Sequence, residues 1–292
     1  MSGGRLCLGL HITKCAGTSL ITNLRRRLSE DEYYFCSSYH ENWLAGRPLF
    51  AQVRAPERLR IVFGHYVHQD LLSVFADREL FLFTGLRDPV ARAISDYRQL
   101  NAIRAWAGEA PVEGGEYIAG HAGAVCSEIL RAFPATEGTE PWRQAKAALE
   151  MFDYIYDADA FDTQARVIFE VLDVPAETLA SDNVSDRKTL PPAFDRVIQR
   201  GCDLIQRNTG FLKQDLALWA WAQPRLGRIT PTAPRPNETS PDNAKATFSA
   251  RETAYLVHEF SALGRLAALR EGTEGWAKTA RAVLERVAEY GF

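Results

Sequence analysis

The chain has 292 residues, a formal net charge of −3, and 46% hydrophobic against 24% charged residues. That balance excludes a disordered, collagenous or disulfide-scaffold protein and leaves one large α/β domain or two small ones. Thirty-four basic against thirty-seven acidic side chains argue against bulk binding to nucleic acid or acidic membranes, but not against a local pocket for one small anion.

In chain order, Leu6 to Ile12 is an apolar run of strand length that breaks at Lys14-Cys15-Ala16-Gly17. A helical pattern follows, with Leu20, Ile21, Leu24 and Leu28 on one side. A second strand is predicted from Leu59 to Phe63, running into Gly64-His65, and a third from Leu80 to Thr84. Arg87-Asp88-Pro89 comes next, with Asp88 suited to an N-cap and Pro89 to the first helical position. The helix after it repeats apolar residues at Val90, Ile94, Tyr97 and Ile103. A fourth strand is expected at Asp153 to Tyr156, then a helix from Thr163 to Leu172, and helical structure from Pro191 to Ala222. Ile229 to Lys245, with Pro231, Pro234, Pro236 and Pro241, reads as a linker. Ser249 to Leu269 and Thr273 to Tyr290 read as two amphipathic helices, the first opening with the capping box Ser249-x-x-Glu252.

Strands alternating with helices predict βαβ units and a parallel sheet covered on both faces. The expected organisation is a main α/β domain over residues 1–228, a Pro-rich linker over 229–248 and a helical extension over 249–292 packed on the core. Cys7, Cys15, Cys36, Cys126 and Cys202 are odd in number and include no C-x-x-C pair, so reduced thiols are expected rather than a zinc site. The N-terminal residues contain no signal-peptide core, and no run approaches the roughly 18 apolar residues of a membrane helix. A cytoplasmic protein without membrane insertion is the expectation.

The most informative segment is His11-Ile12-Thr13-Lys14-Cys15-Ala16-Gly17-Thr18-Ser19, set between a strand and a helix. Backbone N–H groups and the helix dipole favour an anion there. Lys14 adds positive charge, and the Thr18 and Ser19 hydroxyls can donate at the helix start. A Walker A loop needs lysine directly after its last glycine. Here threonine follows Gly17 and the lysine precedes it by three residues, so the loop suits a phosphate-like group without the usual ATP geometry. A plain strand–turn–helix connection with a solvated lysine remains open at this point.

Arg87-Asp88-Pro89-Val90-Ala91-Arg92-Ala93-Ile94-Ser95-Asp96-Tyr97 also joins a strand to a helix. Arg87 lies at a strand's carboxyl end, where open α/β sheets bind ligands. Arg87 and Ser95 can converge on one phosphate only beside the N-terminal half of that helix. Arg92 and Arg98 read as surface arginines of a capped helix.

Together the two segments resemble the sulfotransferases that use 3′-phosphoadenosine 5′-phosphosulfate (PAPS), in their carbohydrate branch of heparan 2-O-sulfotransferases and bacterial relatives. H-I-T-K-C-A-G-T-S is similar to the family's 5′-phosphosulfate loop and R-D-P-V-A-R-A-I-S-D-Y to its 3′-phosphate motif. The likeness runs over about residues 5–222, through F-D-Y-I-Y-D-A-D-A-F and D-N-V-S-D-R-K to the helix around Asp215. Thr13-Lys14-Cys15 departs from the family's more usual Pro-Lys-Thr or Pro-Lys-Ser.

The resemblance implies a P-loop-like α/β fold that moves a sulfuryl group to a hydroxyl, with PAPS as co-substrate and no metal. Lys14 would hold the leaving oxygen, while Cys15, Ala16, Gly17, Thr18 and Ser19 would surround the 5′-phosphate. Arg87 and Ser95 would grip the 3′-phosphate, and Asn183 and Arg187 would cover the nucleotide. The acceptor hydroxyl needs a base near working pH, for which histidine is suited. His65 matches the family's Gly-His base. His68, Tyr66 and Arg98 are expected near the acceptor, a carbohydrate or glycosylated small molecule. Cys15 is expected to be cofactor-adjacent and alkylation-sensitive, and His11 to orient the turn. A P-loop-type nucleotide kinase and a non-catalytic nucleotide-binding or scaffold protein stand as alternatives, and a homodimer is left open.

Overall fold

A computed structural model of the chain describes residues 3–35, 56–65, 67–135, 138–176, 179 and 190–230. Pro56 aside, these belong to one compact unit. The predicted linker beyond residue 230 and both predicted helices of residues 249–292 lie outside the described residues, as do Tyr66, Asn183 and Arg187.

Five strands form one all-parallel sheet: β1 (Gly3–Leu10), β2 (Tyr33–Phe35), β3 (Ile61–Gly64), β4 (Arg78–Leu86) and β5 (Tyr154–Asp157), in the order β2-β3-β1-β4-β5. The order follows from apolar content. Central β1 carries Leu6, Cys7, Leu8 and Leu10, each no more than 2% exposed, and β3 is buried at every position. Such runs need cover on both faces, which crossover helices supply. Leu10 pairs with Gly64 on one side and Thr84 on the other, so β1 and β3 end at one level and β4 runs two residues further, to Leu86. Gly9 faces Phe63 and Phe83 across these ladders, and a Cβ there would fall 2.4 and 2.3 Å from their rings. Only glycine lets the two rings close over the central strand.

The helices are α1 (Gly17–Arg25), α2 (Asp70–Val74), α3 (Pro89–Ala107), α4 (Gly114–Gly120), α5 (Ala124–Ala132), α6 (Pro141–Leu149), α7 (Phe161–Gln164), α8 (Arg166–Val171), α9 (Pro192–Arg207) and α10 (Lys213–Ala222). Asp88 caps α3 as predicted, accepting the Val90 and Ala91 N–H groups, with Pro89 as first helical residue. One core cluster joins α1, α7 and α8 to the sheet residues Phe63, Phe83 and Tyr156. A second joins α3, α4 and α9 through Tyr97, Tyr117, Cys202 and Ile205.

Several expectations change. The helix predicted from Thr163 to Leu172 is two short helices, α7 and α8, and the stretch from Pro191 to Ala222 divides into α9, a 3-10 turn over Thr209–Leu212, and α10. Ile103 is 46% exposed. The buried line of α3 runs through Ala93, Tyr97 and Asn101, four residues apart each time, and Ile103 lies off it. Asn101 is tolerated on that line because its amide donates to Tyr97 O and accepts from Val112 N. In α10, Asp215 is 2% exposed and accepts the N–H groups of Val125 and Cys126, capping α5 from outside. Among the described residues no helix is long and apolar enough to cross a membrane.

Candidate functional site

The carboxyl ends of β1, β3, β4 and β5 deliver His11, His65, Arg87 and Ala158 to one cleft of about 650 Å³. Chain order reverses about β1, with β3 on one side and β4 on the other, which is where open α/β sheets form a crevice. Thr13, Lys14, Ala16, Gly17, Thr18 and Ser19 line the cleft from the loop, and Ala91, Ile94, Ser95 and Arg98 line it from one face of α3. Gln99 and, from α9, Gln206 complete that wall. Lys14, Arg87 and Arg98 bring three cations, and the described lining residues include no carboxylate. In a protein of net charge −3 this is a local reversal of sign.

The loop holds two non-glycine residues in the left-handed region, Lys14 at φ 67° and Ala16 at φ 60°. Each costs on the order of 1–2 kcal/mol, so the surroundings must fix them. Thr13 is fixed by Glu128 and Arg92: Glu128 accepts its N–H at 2.8 Å and its hydroxyl, and Arg92 donates to its carbonyl at 3.1 Å. Cys15 is fixed by Tyr156, whose hydroxyl donates to the Cys15 carbonyl at 3.0 Å. Ala16 stands at the N-cap of α1 and no side chain caps that end. The first turn therefore keeps its N–H groups and positive dipole for an anion.

Lys14 is half-buried, and its Nζ donates to Gln99 Oε1 at 2.5 Å. Burial lowers its pKa while nearby Asp96 works the other way. Arg87 binds Asp159 at 2.8 Å through Nη2, whereas its Nε is buried with no hydrogen-bond partner among the described residues. Ser95 lies one turn beyond Ala91 on the same wall, as convergence with Arg87 requires.

His65 stacks on His11 with ring centroids 4.0 Å apart, and His11 stacks in turn on Phe63 at 5.3 Å. Gly17 makes room for this column: a Cβ there would fall 2.0 Å from His11 Nε2. Burial, then the neighbouring His65 and Lys14, hold the His11 pKa well below its usual 6.5, so the ring is neutral at neutral pH. The unfolded chain binds this proton more readily than the folded one, so His11 lowers stability as pH falls through 6.5. On moving from about pH 7.5 to about pH 5.5, wild type is expected to lose more thermal stability than His11→Phe, which keeps the stack but cannot titrate. Parallel melting curves measure the difference, and equal losses would exclude His11 as the source.

Of the residues expected from sequence, Lys14, Ala16, Gly17, Thr18, Ser19, His65, Arg87, Ser95 and Arg98 all line the cleft. Cys15 does not. Its side chain is 1% exposed and turned inward with Sγ 3.7 Å from Thr13 O, and burial pushes the thiol up to about 12. The expected alkylation-sensitive cysteine is thus an inert core residue, because left-handed residues on either side direct it away from the cleft. His68 is not a lining residue either; it lies 3.7 Å from Asp70 in the turn before α2. Arg98 is exposed at the rim as read from sequence, but Arg92 is 3% exposed and no surface residue. It occupies an inward position one turn from Asp88 and is satisfied by Glu128 and Thr13. Tyr66, Asn183 and Arg187 lie outside the described residues.

Sequence reading missed Gln99, Gln206, Glu128 and Asp159 as neighbours of the site. Gln99 alone had a signal, being four residues after Ser95 on the same helix. No protein-family model and no curated protein matches the chain.

Proposed function

We propose that this chain is a sulfotransferase that moves a sulfuryl group from PAPS to a hydroxyl of a carbohydrate or glycosylated small molecule. The observation that carries the proposal is one cleft in which Lys14, Arg87, Arg98 and the uncapped N-terminus of α1 meet His65, with no carboxylate among the described lining residues. Cations from two segments of the lining, Lys14 on the loop and Arg87 after β4, suit a nucleotide carrying phosphates at both 3′ and 5′ positions. Arg87 and Ser95, which both line the cleft, would hold the 3′-phosphate. Gly17, Thr18 and Ser19 would hold the 5′-phosphate at the start of α1.

In the transfer, the acceptor oxygen forms a bond to sulfur as the bond from sulfur to the 5′-phosphate oxygen breaks. His65 takes the hydroxyl proton, and Lys14 with the α1 N-terminus stabilises the negative charge on the departing phosphate. His11 supports this role by remaining neutral beneath His65, adding no second positive charge against the proton that His65 must accept. Positioning and fixed charge carry the catalysis, as in other group transfers between oxyanions.

Calorimetry with adenosine 3′,5′-bisphosphate against ATP plus magnesium tests the reading. Tighter binding of the bisphosphate, by about tenfold or more, is expected from the additional charge-assisted contacts at Arg87. Preference for ATP, or indifference to the 3′-phosphate, would overturn it.

A further inference from the structure

Lys14 stands at the crest of its loop between two anchored residues. On its N-terminal side every polar group of Thr13 is engaged: Glu128 accepts its N–H at 2.8 Å and its hydroxyl, while Arg92 donates to its carbonyl at 3.1 Å and to its hydroxyl oxygen at 2.8 Å. Arg92 and Glu128 also pair with each other at 2.8 Å, with side chains only 3% and 15% exposed. On the C-terminal side, the Cys15 carbonyl is held by Tyr156. The loop therefore draws supports from α5 through Glu128, α3 through Arg92 and β5 through Tyr156. Glu128 lies 115 residues from Thr13 and does not line the cleft.

We propose that Glu128, acting with Arg92 through Thr13, is a positioning residue that holds the anion loop in its strained, ligand-ready form. The physical reason lies in the backbone. A lysine at φ 67° followed within two residues by an alanine at φ 60° relaxes unless its neighbours leave it no alternative. A carboxylate gripping both the N–H and the hydroxyl of Thr13 fixes the Ile12–Thr13 peptide and the Thr13 side chain, and the guanidinium grips the Thr13 carbonyl, which belongs to the peptide entering Lys14. With Thr13 fixed on both sides, Lys14 and the first turn of α1 meet an anion without prior rearrangement. A backbone N–H at position 13 is essential to this device. Threonine supplies it, whereas proline, which the resembling family more often has there, has no N–H to donate.

This inference rests on the reading of the loop as a 5′-phosphate site, and its test separates the two. Adenosine 3′,5′-bisphosphate and adenosine 3′-monophosphate are titrated into wild type and Glu128→Gln, with melting temperature and amide exchange of the 11–19 segment followed in the same proteins. Glu128→Gln is expected to weaken the bisphosphate by about tenfold, the usual scale for a lost hydrogen bond to a charged group, and to leave the 3′-monophosphate within about twofold. Exchange at the Thr13 amide should accelerate by a similar factor. Thr13→Val, which keeps the Arg92–Glu128 pair and removes only the hydroxyl, should show the same ligand selectivity at smaller size. If Glu128→Gln does not fold, Thr13→Val decides on the same ligand pair. Equal weakening of both nucleotides, or unchanged bisphosphate affinity, would overturn the positioning role. If wild type binds neither nucleotide, the functional reading fails, and exchange in the 11–19 segment decides alone: acceleration upholds the support, and its absence overturns it.

Discussion

Replacing His65 with alanine is expected to lower sulfuryl transfer by about a hundredfold to ten-thousandfold, the range over which a positioned base contributes. Nucleotide binding should stay within about threefold, because the phosphate contacts we propose come from other elements lining the cleft, the start of α1, Arg87 and Ser95. Lys14→Ala should behave differently. Lys14 stands on the loop itself and carries one of the three cations among the described lining residues, so both transfer and bisphosphate affinity should fall. Transfer of labelled sulfate from PAPS to a panel of free and glycosylated hydroxyl compounds measures the first quantity, and calorimetry the second. Near-normal turnover by His65→Ala on any accepted substrate would remove the histidine from the chemistry. Loss of both quantities in His65→Ala would instead make the ring a structural member of the His11–Phe63 column.

Arg92→Met should cause the largest loss of stability among the site's neighbours. Burial works against the Arg92 charge, but Glu128 beside it, with Asp96, more than compensates and keeps the group firmly protonated. Methionine fills much of the same volume while leaving the Glu128 carboxylate without its counter-ion. Breaking a buried pair from one side costs about 3–5 kcal/mol. For a domain of this size that corresponds to a fall in melting temperature of roughly 10 °C. Arg98→Met, six residues on along the same helix, should change it by no more than about 2 °C, since the exposed side chain adds little to stability. A small effect at Arg92 would mean that the three groups of Thr13 are satisfied without it.

Much of the scaffold was legible from the chain because it depends on local patterns. Apolar runs of strand length, a capping Asp88 before Pro89, and loops at the ends of both runs are each encoded within about ten residues. They locate β1, β3, β4, α1 and α3, and thereby Lys14, His65, Arg87 and Ser95. The short elements were less legible. β2 is three residues long, and α5 and α6 hide among alanines, though Val125, Cys126, Ile129 and Ala132 do trace a buried helical face. Asp215 could not be recognised as a cap, because the helix that it serves begins 91 residues earlier in the chain.

By itself the sequence determined which residues carry charge to the strand ends, since a residue's place at the end of a parallel strand follows from the run before it. It also determined the sign of the pocket despite the overall −3, because Lys14, Arg87 and Arg98 sit in the segments that line it. Only the tertiary structure decided which side chains face in. A helix periodicity gives two sides but not which neighbour covers each, so Arg92 read as solvated until α5 placed Glu128 against it. Turn composition likewise gives no backbone handedness. The left-handed Lys14 and Ala16 turn Cys15 into the core and leave His11 beneath His65, over the one residue, Gly17, small enough to admit its ring.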